Sequence, residues 1–301
     1  MPVVLRSHSQ ERFDMRRFEL FEPKSIGETC KILAENQDVK VIAGGTSLLI
    51  LIKQGIFLPK ILINLKKVKD AADITFTSKS GLRIGGLATI YDLERAPAVL
   101  QHYPLLAQAC HVVANIRIRN MATIGGNLAH ADYQSDPPAA LVALDASVEL
   151  TSQSGSRSVR LVDFFLGAYE TALEPTELLT AIVLPPPIDQ SKGAYLKFTT
   201  RSSEDRPCAG VAALVRGSSQ SCEEVRVIVG AVSPKPVVVN TESLVRGQKL
   251  TSDLIEEIAR SAGEAVDPIE DLRGPADYKR QIVRVIVRRA LTTCATEGNG
   301  Q

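Results

Sequence analysis

The sequence has no tryptophan, and its five cysteines (30, 110, 208, 222 and 294) are scattered, the closest pair fourteen residues apart. No C-x-x-C occurs. Iron–sulfur clusters and structural zinc sites need grouped thiolates, so a centre of that kind held by this chain alone is excluded. An odd, dispersed set of cysteines in a long chain points to free thiols and a reducing compartment, the cytoplasm. The four histidines (8, 102, 111, 130) form no H-E-x-x-H or similar array. Charge is balanced: 35 Lys+Arg against 34 Asp+Glu leave a net +1, with no basic excess for a nucleic-acid footprint. The most apolar stretch, Val39 to Ile52, contains Lys40, Thr46, Ser47 and two glycines. It is shorter than the roughly 20 residues a membrane span takes. Near the N-terminus, Arg6, Glu11, Arg12 and Asp14 interrupt any apolar core of a signal peptide. Residues 1–14 therefore read as a loose extension, or as the product of an upstream start, ahead of Met15.

What is present is the balance of a globular protein: 301 residues, 45% hydrophobic and 23% charged. At about 100–200 residues per domain that length predicts two domains. The triple proline 185–187 is the best boundary between them. Ser25 and Glu28 have capping-box spacing and open an amphipathic helix over 26–36. Strands are expected at 39–42 and 60–65, a hairpin at 74–77 and 82–85, and a further pair at 147–150 and 158–161. Residues 90–114 pattern as helix interrupted by Pro97 and Pro104, and an Ala/Leu-rich helix follows Pro138. Beyond the prolines come strands at 194–199, 211–215 and 225–232, then helices at 252–266 and 275–292. In the last helix Tyr278, Ile282, Val285, Ile286 and Ala290 share a face, and Arg280, Arg284 and Arg288 form a stripe expected to be solvated.

Two glycine pairs carry the chemistry. Gly44-Gly45 follows a strand and precedes an apolar run able to open a helix; Gly125-Gly126 is expected in a second turn among small residues. Glycine permits positive φ and close approach of a ligand to the main chain. Consecutive N–H groups in such turns form anion-binding concavities. Two of them can hold both phosphates of a pyrophosphate without basic side chains, with Thr46, Ser47, Thr123 and Asn127 adding donors. Neither pair is the G-x-G-x-x-G or the G-x-x-x-x-G-K-[ST] pattern, and either alone reads better as an ordinary strand-to-helix turn than as an anion site.

Ala43-Gly44-Gly45-Thr46-Ser47-Leu48-Leu49, followed by Lys53, resembles the first FAD-pyrophosphate motif of the FAD-binding medium subunits of molybdenum hydroxylases. The nearest pattern is that of the carbon monoxide dehydrogenase medium subunits, with the xanthine dehydrogenase FAD subunits related. Ile118 to Asp132, with Ser135-Asp136 and Ala139-Ala140-Leu141, is similar to that family's second motif. Asp267 to Gly274, with Tyr278-Lys279-Arg280, resembles its C-terminal signature. Three motifs in order, spanning about Met15 to Leu291, make the likeness specific. There are departures: Tyr133-Gln134 and Pro137 stand where the family more often has Pro-Ala and Leu, and Ile50-Leu51 replaces a commoner Pro.

The resemblance implies an α+β fold. A two-subdomain FAD-binding domain of the PCMH type would cover 15–187, and a smaller C-terminal domain of antiparallel strands and helices 190–296. It implies that FAD is held by Val41, Ile42, Ala43, Gly44, Gly45, Thr46, Ser47 and Leu48 and by Thr123, Ile124, Gly125, Gly126 and Asn127. Asp136, Leu179 and Lys197 match further cofactor contacts. Without the resemblance, Asp136 reads as a helix N-cap, Leu179 as core and Lys197 as a solvated strand residue. His130 is expected to be structural or solvent-facing, since no acid is placed beside it, so no catalytic residue is assigned. The implied function is an electron-transfer subunit that takes electrons from the [2Fe–2S] clusters of a small partner and passes them to an external acceptor. A molybdenum-cofactor large subunit would oxidise the substrate, in a heterotrimer that dimerises. The alternatives are a self-contained flavin oxidoreductase and a cofactor-free assembly or binding protein.

Overall fold

The computed structural model describes residues 18–218, 221–245 and 247–296; the extension expected over 1–14 lies outside them. Among the described residues no helix is long and apolar enough to cross a membrane.

The first unit is a small parallel sheet with helices. It comprises β1 (Glu19–Phe21), α1 (Ile26–Glu35), β2 (Val39–Ile42), α2 (Leu48–Lys53) and β3 (Ile61–Asn64), with strand order β1-β3-β2. The Ser25 side chain accepts the Glu28 N–H, and Glu28 Oε2 accepts the Lys24 N–H, so the chain before α1 is pinned at both ends. α1 then buries Thr29, Cys30 and Leu33, with Cys30 and Leu33 packing against Ile63 and Leu65.

The second unit is built on a five-stranded antiparallel sheet. In chain order it holds β4 (Ile74–Thr77), β5 (Gly81–Gly85), α3 (Ile90–Arg95), α4 (Pro97–His102), α5 (Pro104–His111), α6 (Ile116–Arg119), α7 (Ile124–His130) and α8 (Pro137–Ala143). There follow β6 (Ser147–Ser152), β7 (Gly155–Arg160), α9 (Leu161–Phe164), β8 (Phe165–Gly167), β9 (Glu170–Thr171) and β10 (Leu178–Leu184). The large sheet runs β4-β5-β10-β6-β7. Its central strand β10 was not expected: LLTAIVL is a continuous apolar run without alternation, the pattern of a strand covered on both faces. Pro97 and Pro104 each stand at the first position of a new helix, where a missing N–H costs nothing, so they start α4 and α5.

The third unit is the antiparallel meander β11 (Ser191–Phe198), β12 (Ala209–Ser218), β13 (Ser221–Gly230) and β14 (Val237–Val239), followed by α10 (Glu242–Val245), α11 (Ser252–Ala265) and α12 (Ala276–Thr296). Both faces of this sheet are buried. Val211, Ala213 and Val215 point towards the core shared with α11 and α12, while Ala212 and Leu214 join the core of the second unit, against α8. A two-residue period with apolar side chains on both faces is what welds this unit to the rest.

The apolar stripe of α12 differs from the expected one. Lys279, Val283, Ile286, Val287, Ala290, Leu291 and Cys294 are buried, whereas Tyr278 is exposed. The stripe turns because Lys279 is drawn inward by oxygen acceptors, which hydropathy periodicity does not register. The arginine stripe is solvated in part, with the Arg288 side chain 45% exposed, and it also meets α11. Arg288 pairs with Glu256 of α11 through two short bonds, and Arg284 lies against Gly263 of α11. These two therefore face a neighbouring helix, and Arg280 reaches Asp277. All five cysteines are buried.

Tyr195 of β11 lies across Gly210 of β12, where a methyl group would stand 2.4 Å from its hydroxyl oxygen. Gly210→Ala should therefore lower stability by about 1–3 kcal/mol through overpacking, read by denaturant unfolding; an unchanged midpoint would show that the ring can move aside.

Candidate functional site

After β2 the chain passes through Ala43–Ser47 into α2. Gly45 has φ +70°, which a side chain would strain. Gly44 is fixed by space: a Cβ there would lie 1.8 Å from the Met121 carbonyl oxygen. The first unit thus meets the segment leading into α7 through bare main chain. The N–H groups of Gly44, Gly45, Thr46 and Ser47, and the hydroxyls of Thr46 and Ser47, have no hydrogen-bond partner among the described residues. Residues Val41 to Leu48 are all half-buried. Unspent, half-buried, adjacent donors are the arrangement that binds an anion.

The second glycine pair is different. Gly125 and Gly126 lie in the first turn of α7, capped by the Thr123 side chain, and not in a turn between elements. Every N–H there is spent. Ile124 donates to Ala88 O, Gly125 to Gly86 O, Gly126 to Thr123 Oγ1 and Asn127 to Thr123 O. The expectation of two equivalent nests is corrected: free amides lie at the first pair only. At the second pair, a Cβ on Gly125 would lie 2.5 Å from Gly86 O, whereas one on exposed Gly126 would meet only Thr123 Oγ1. Gly126 therefore leaves an open main-chain surface. Ser135 Oγ donates to Asn127 Oδ1 at 2.9 Å, which leaves the Asn127 side-chain NH2 to donate elsewhere.

Leu179 is buried in β10, and its carbonyl oxygen stands 2.6 Å from where a Gly86 Cβ would be. Leu179, Gly86 and Gly125 thus stack main chain on main chain. Gly86 was missed from sequence, although Gly85-Gly86 is a third glycine pair and was a legible signal.

Asp136 precedes α8 but makes no side-chain cap bond. Pro137 and Pro138 have no N–H to cap. Its carboxylate turns inward, accepting from Tyr195 Oη at 2.9 Å and Lys197 Nζ at 3.1 Å. Lys197 also donates to Val112 O at 2.8 Å, so the solvated reading of this lysine is overturned. The Lys197 and Asp136 side chains are 6% and 4% exposed. Burial pushes the Asp136 carboxyl up to about 6, against the downward pull of Lys197 and Tyr195. Burial, with the adjacent carboxylate, pushes the Tyr195 phenol well above its usual value. Tyr195 was missed because an alternating strand gives no sign of which polar tip meets a buried acid.

His130 ends α7, half-buried, its ring edge-on to Tyr169 at 5.3 Å. Burial lowers its pKa, Asp132 opposes this, and Arg206 and Lys40 add to the lowering. Asp132 itself pairs with Arg206 at 3.0 Å.

Residues 16–187 match the family of FAD binding domains in molybdopterin dehydrogenase, and residues 194–294 match the CO dehydrogenase flavoprotein C-terminal domain. The chain belongs to the FAD-binding medium subunits of the molybdenum hydroxylases. This medium subunit is 33% identical over 279 residues to the glyceraldehyde dehydrogenase medium chain of Sulfolobus acidocaldarius, covering 92% of this chain and 98% of that one. It is 34% identical over 277 residues to the carbon monoxide dehydrogenase medium chain of Hydrogenophaga pseudoflava, covering 91% and 96%. Among solved structures, carbon monoxide dehydrogenase from Hydrogenophaga pseudoflava aligns with TM-score 0.89 and 34% identity, covering 92% of this chain and 97% of that one. Quinoline 2-oxidoreductase from Pseudomonas putida 86 aligns with TM-score 0.89 and 27% identity, covering 94% and 99%. The medium subunit is accordingly an FAD-dependent oxidoreductase subunit with an α+β fold.

The Asp136–Lys197 pair yields a pH test. Lys197→Met leaves a buried carboxylate whose folded-state pKa, already above the ordinary 3.8, rises further. Protonation relieves the cost, so this group's stability deficit grows as pH rises from about 4 through its folded-state pKa. The variant should lose about 3–5 kcal/mol at pH 8 and clearly less at pH 5 in denaturant unfolding. Equal losses at both pH values would exclude Asp136 as the responsible group.

Proposed function

We propose that this medium subunit holds FAD between the Ala43–Ser47 loop and the N-terminal turn of α7 and passes electrons from a partner's [2Fe–2S] clusters to an external acceptor. The observation that carries the cofactor reading is the row of unspent amides from Gly44 to Ser47. A phosphate oxygen accepting from such N–H groups gains about 1.5–3 kcal/mol per charge-assisted bond, with no lysine or arginine required. Gly126 lets the same group approach the main chain of α7, and the Asn127 side-chain NH2 adds a donor oriented by Ser135. Bound FAD supplies the capacity to collect two electrons singly and release them to a different acceptor. The chain's residues contribute binding and electrostatics: Leu179 offers an apolar wall, and Lys197 with Asp136 sets a paired charge in a dry setting. Thr46 and Ser47 are free to donate to cofactor oxygens.

The partners in this reading are a molybdenum-cofactor large subunit and a [2Fe–2S] small subunit, in a cytoplasmic heterotrimer that dimerises. The names of the relatives support the division of labour. Medium chains 32–34% identical to this one are named for glyceraldehyde, carbon monoxide and nicotine. Substrates so unlike one another point to substrate choice on another subunit.

The full-length chain, incubated with FAD and freed of excess by gel filtration, should retain one flavin per chain and quench its fluorescence. Gly126→Val, whose Cβ would meet only Thr123 Oγ1, at 2.8 Å, should keep its far-ultraviolet spectrum and bind at least about tenfold more weakly. A wild-type chain that retains no flavin would refute the cofactor reading.

A further inference from the structure

The segment Ala131–Asp136 leaves α7 through Ala131, which has φ +48°, and every residue in it has a specific partner. Ala131 O accepts the Tyr169 N–H. Asp132 pairs with Arg206. Tyr133 Oη and Gln134 Nε2 both donate to Asp271 Oδ2, at 3.4 and 2.8 Å. Ser135 holds Asn127, and Asp136 holds Tyr195 and Lys197. Arg206, Asp271, Tyr195 and Lys197 all belong to the third unit, while Asn127 belongs to the candidate cofactor site. The segment is a strap bonded along its length to one unit and at one point to the site in another.

Asp271 Oδ1 accepts from the Arg273 N–H at 2.9 Å and from Lys279 Nζ at 2.8 Å. The Lys279 side chain is 0% exposed and also donates to Ile269 O at 2.6 Å. A buried ammonium keeps its acceptors in place because losing either leaves a dry charge short of a partner. Asp271 therefore offers Gln134 an acceptor of fixed position.

We propose that Asp271, acting through Gln134, is a positioning residue for the FAD site. The pair fixes the strap, the strap fixes Ser135, and Ser135 orients Asn127 towards the cofactor. The inference rests on the FAD reading above. It makes cofactor binding and the order of the 269–274 loop mutually dependent, since coupling between two sites is reciprocal.

The test uses the full-length chain, wild type and Gln134→Ala, with FAD titrated by fluorescence and amide hydrogen exchange followed in residues 269–274. Gln134→Ala removes the link while Asp271 keeps Lys279 and Arg273. Its FAD dissociation constant should rise about tenfold, the equivalent of one hydrogen bond to a charged group. Adding FAD should slow exchange of the 269–274 loop in the wild type and leave it unchanged in the variant. Asp271→Asn, which puts an NH2 donor in place of one of the two acceptor oxygens, should shift both readouts the same way and at least as far. A wild-type chain that binds FAD while Gln134→Ala binds equally well, or whose loop exchange ignores FAD, overturns the inference alone. A wild-type chain that binds no FAD overturns the cofactor reading and this inference with it.

Discussion

The architecture depends on main chains that touch where no side chain fits. Leu179 O lies on Gly86, Gly86 O lies on Gly125, and Met121 O lies on Gly44. Each contact would need backbone to shift if a single methyl group were added, and backbone held in a sheet or a capped helix has little freedom to do so. The glycines near the cleft are therefore used twice over. Some bring protein to protein, Gly45 supplies a positive φ, and Gly126 keeps the main chain open. A cleft built this way has walls set by peptide groups, whose positions vary less than those of rotamers. That suits a site whose donors are themselves amides.

Two buried ion pairs flank this framework, Asp136 with Lys197 and Asp271 with Lys279. Neither is an efficient way to stabilise a fold, because desolvation cancels much of the attraction. What such a pair does provide is registry, since a displaced partner leaves a charge stranded. Both pairs lie where the third unit meets the second, one beside the strap's end and one beneath its middle. The apolar contacts of α5 and α8 with the meander fix these units against each other, and the Asp136–Lys197 pair, which bridges them, defines the offset at which they sit.

Periodicity made much of the fold legible. β2, β3, the β4–β5 hairpin, α1, α11 and the three long strands of the meander lie close to where alternation or helical spacing predicts them. The exceptions have physical causes. β10 escapes notice because a doubly covered strand has no polar phase. Gly125 and Gly126 predict a turn because glycine is a poor helix former, yet the hydrogen bonds to Gly86 and Ala88 hold the segment as the first turn of α7. The α12 stripe is displaced because a lysine with two fixed oxygens prefers the interior. At the site, the glycine pairs identified where to look, but not that one pair has spent its amides and the other has not. That difference is a matter of the Gly86 and Ala88 carbonyls brought in from the loop after β5, far away in sequence. Asp136 and Lys197 stood out singly, and their union through Tyr195 belongs to tertiary structure alone.

The burial of all five cysteines has a chemical consequence for a protein that handles electrons. Thiols react as thiolates, and burial raises the pKa of Cys30, Cys110, Cys208 and Cys222. A sulfur that does not ionise and does not meet solvent is a poor target for peroxide and a poor partner for disulfide exchange. Reduced oxygen species arise wherever a reduced carrier meets dioxygen. The chain thus keeps its cysteine sulfurs as hydrophobic filling, out of reach of such species.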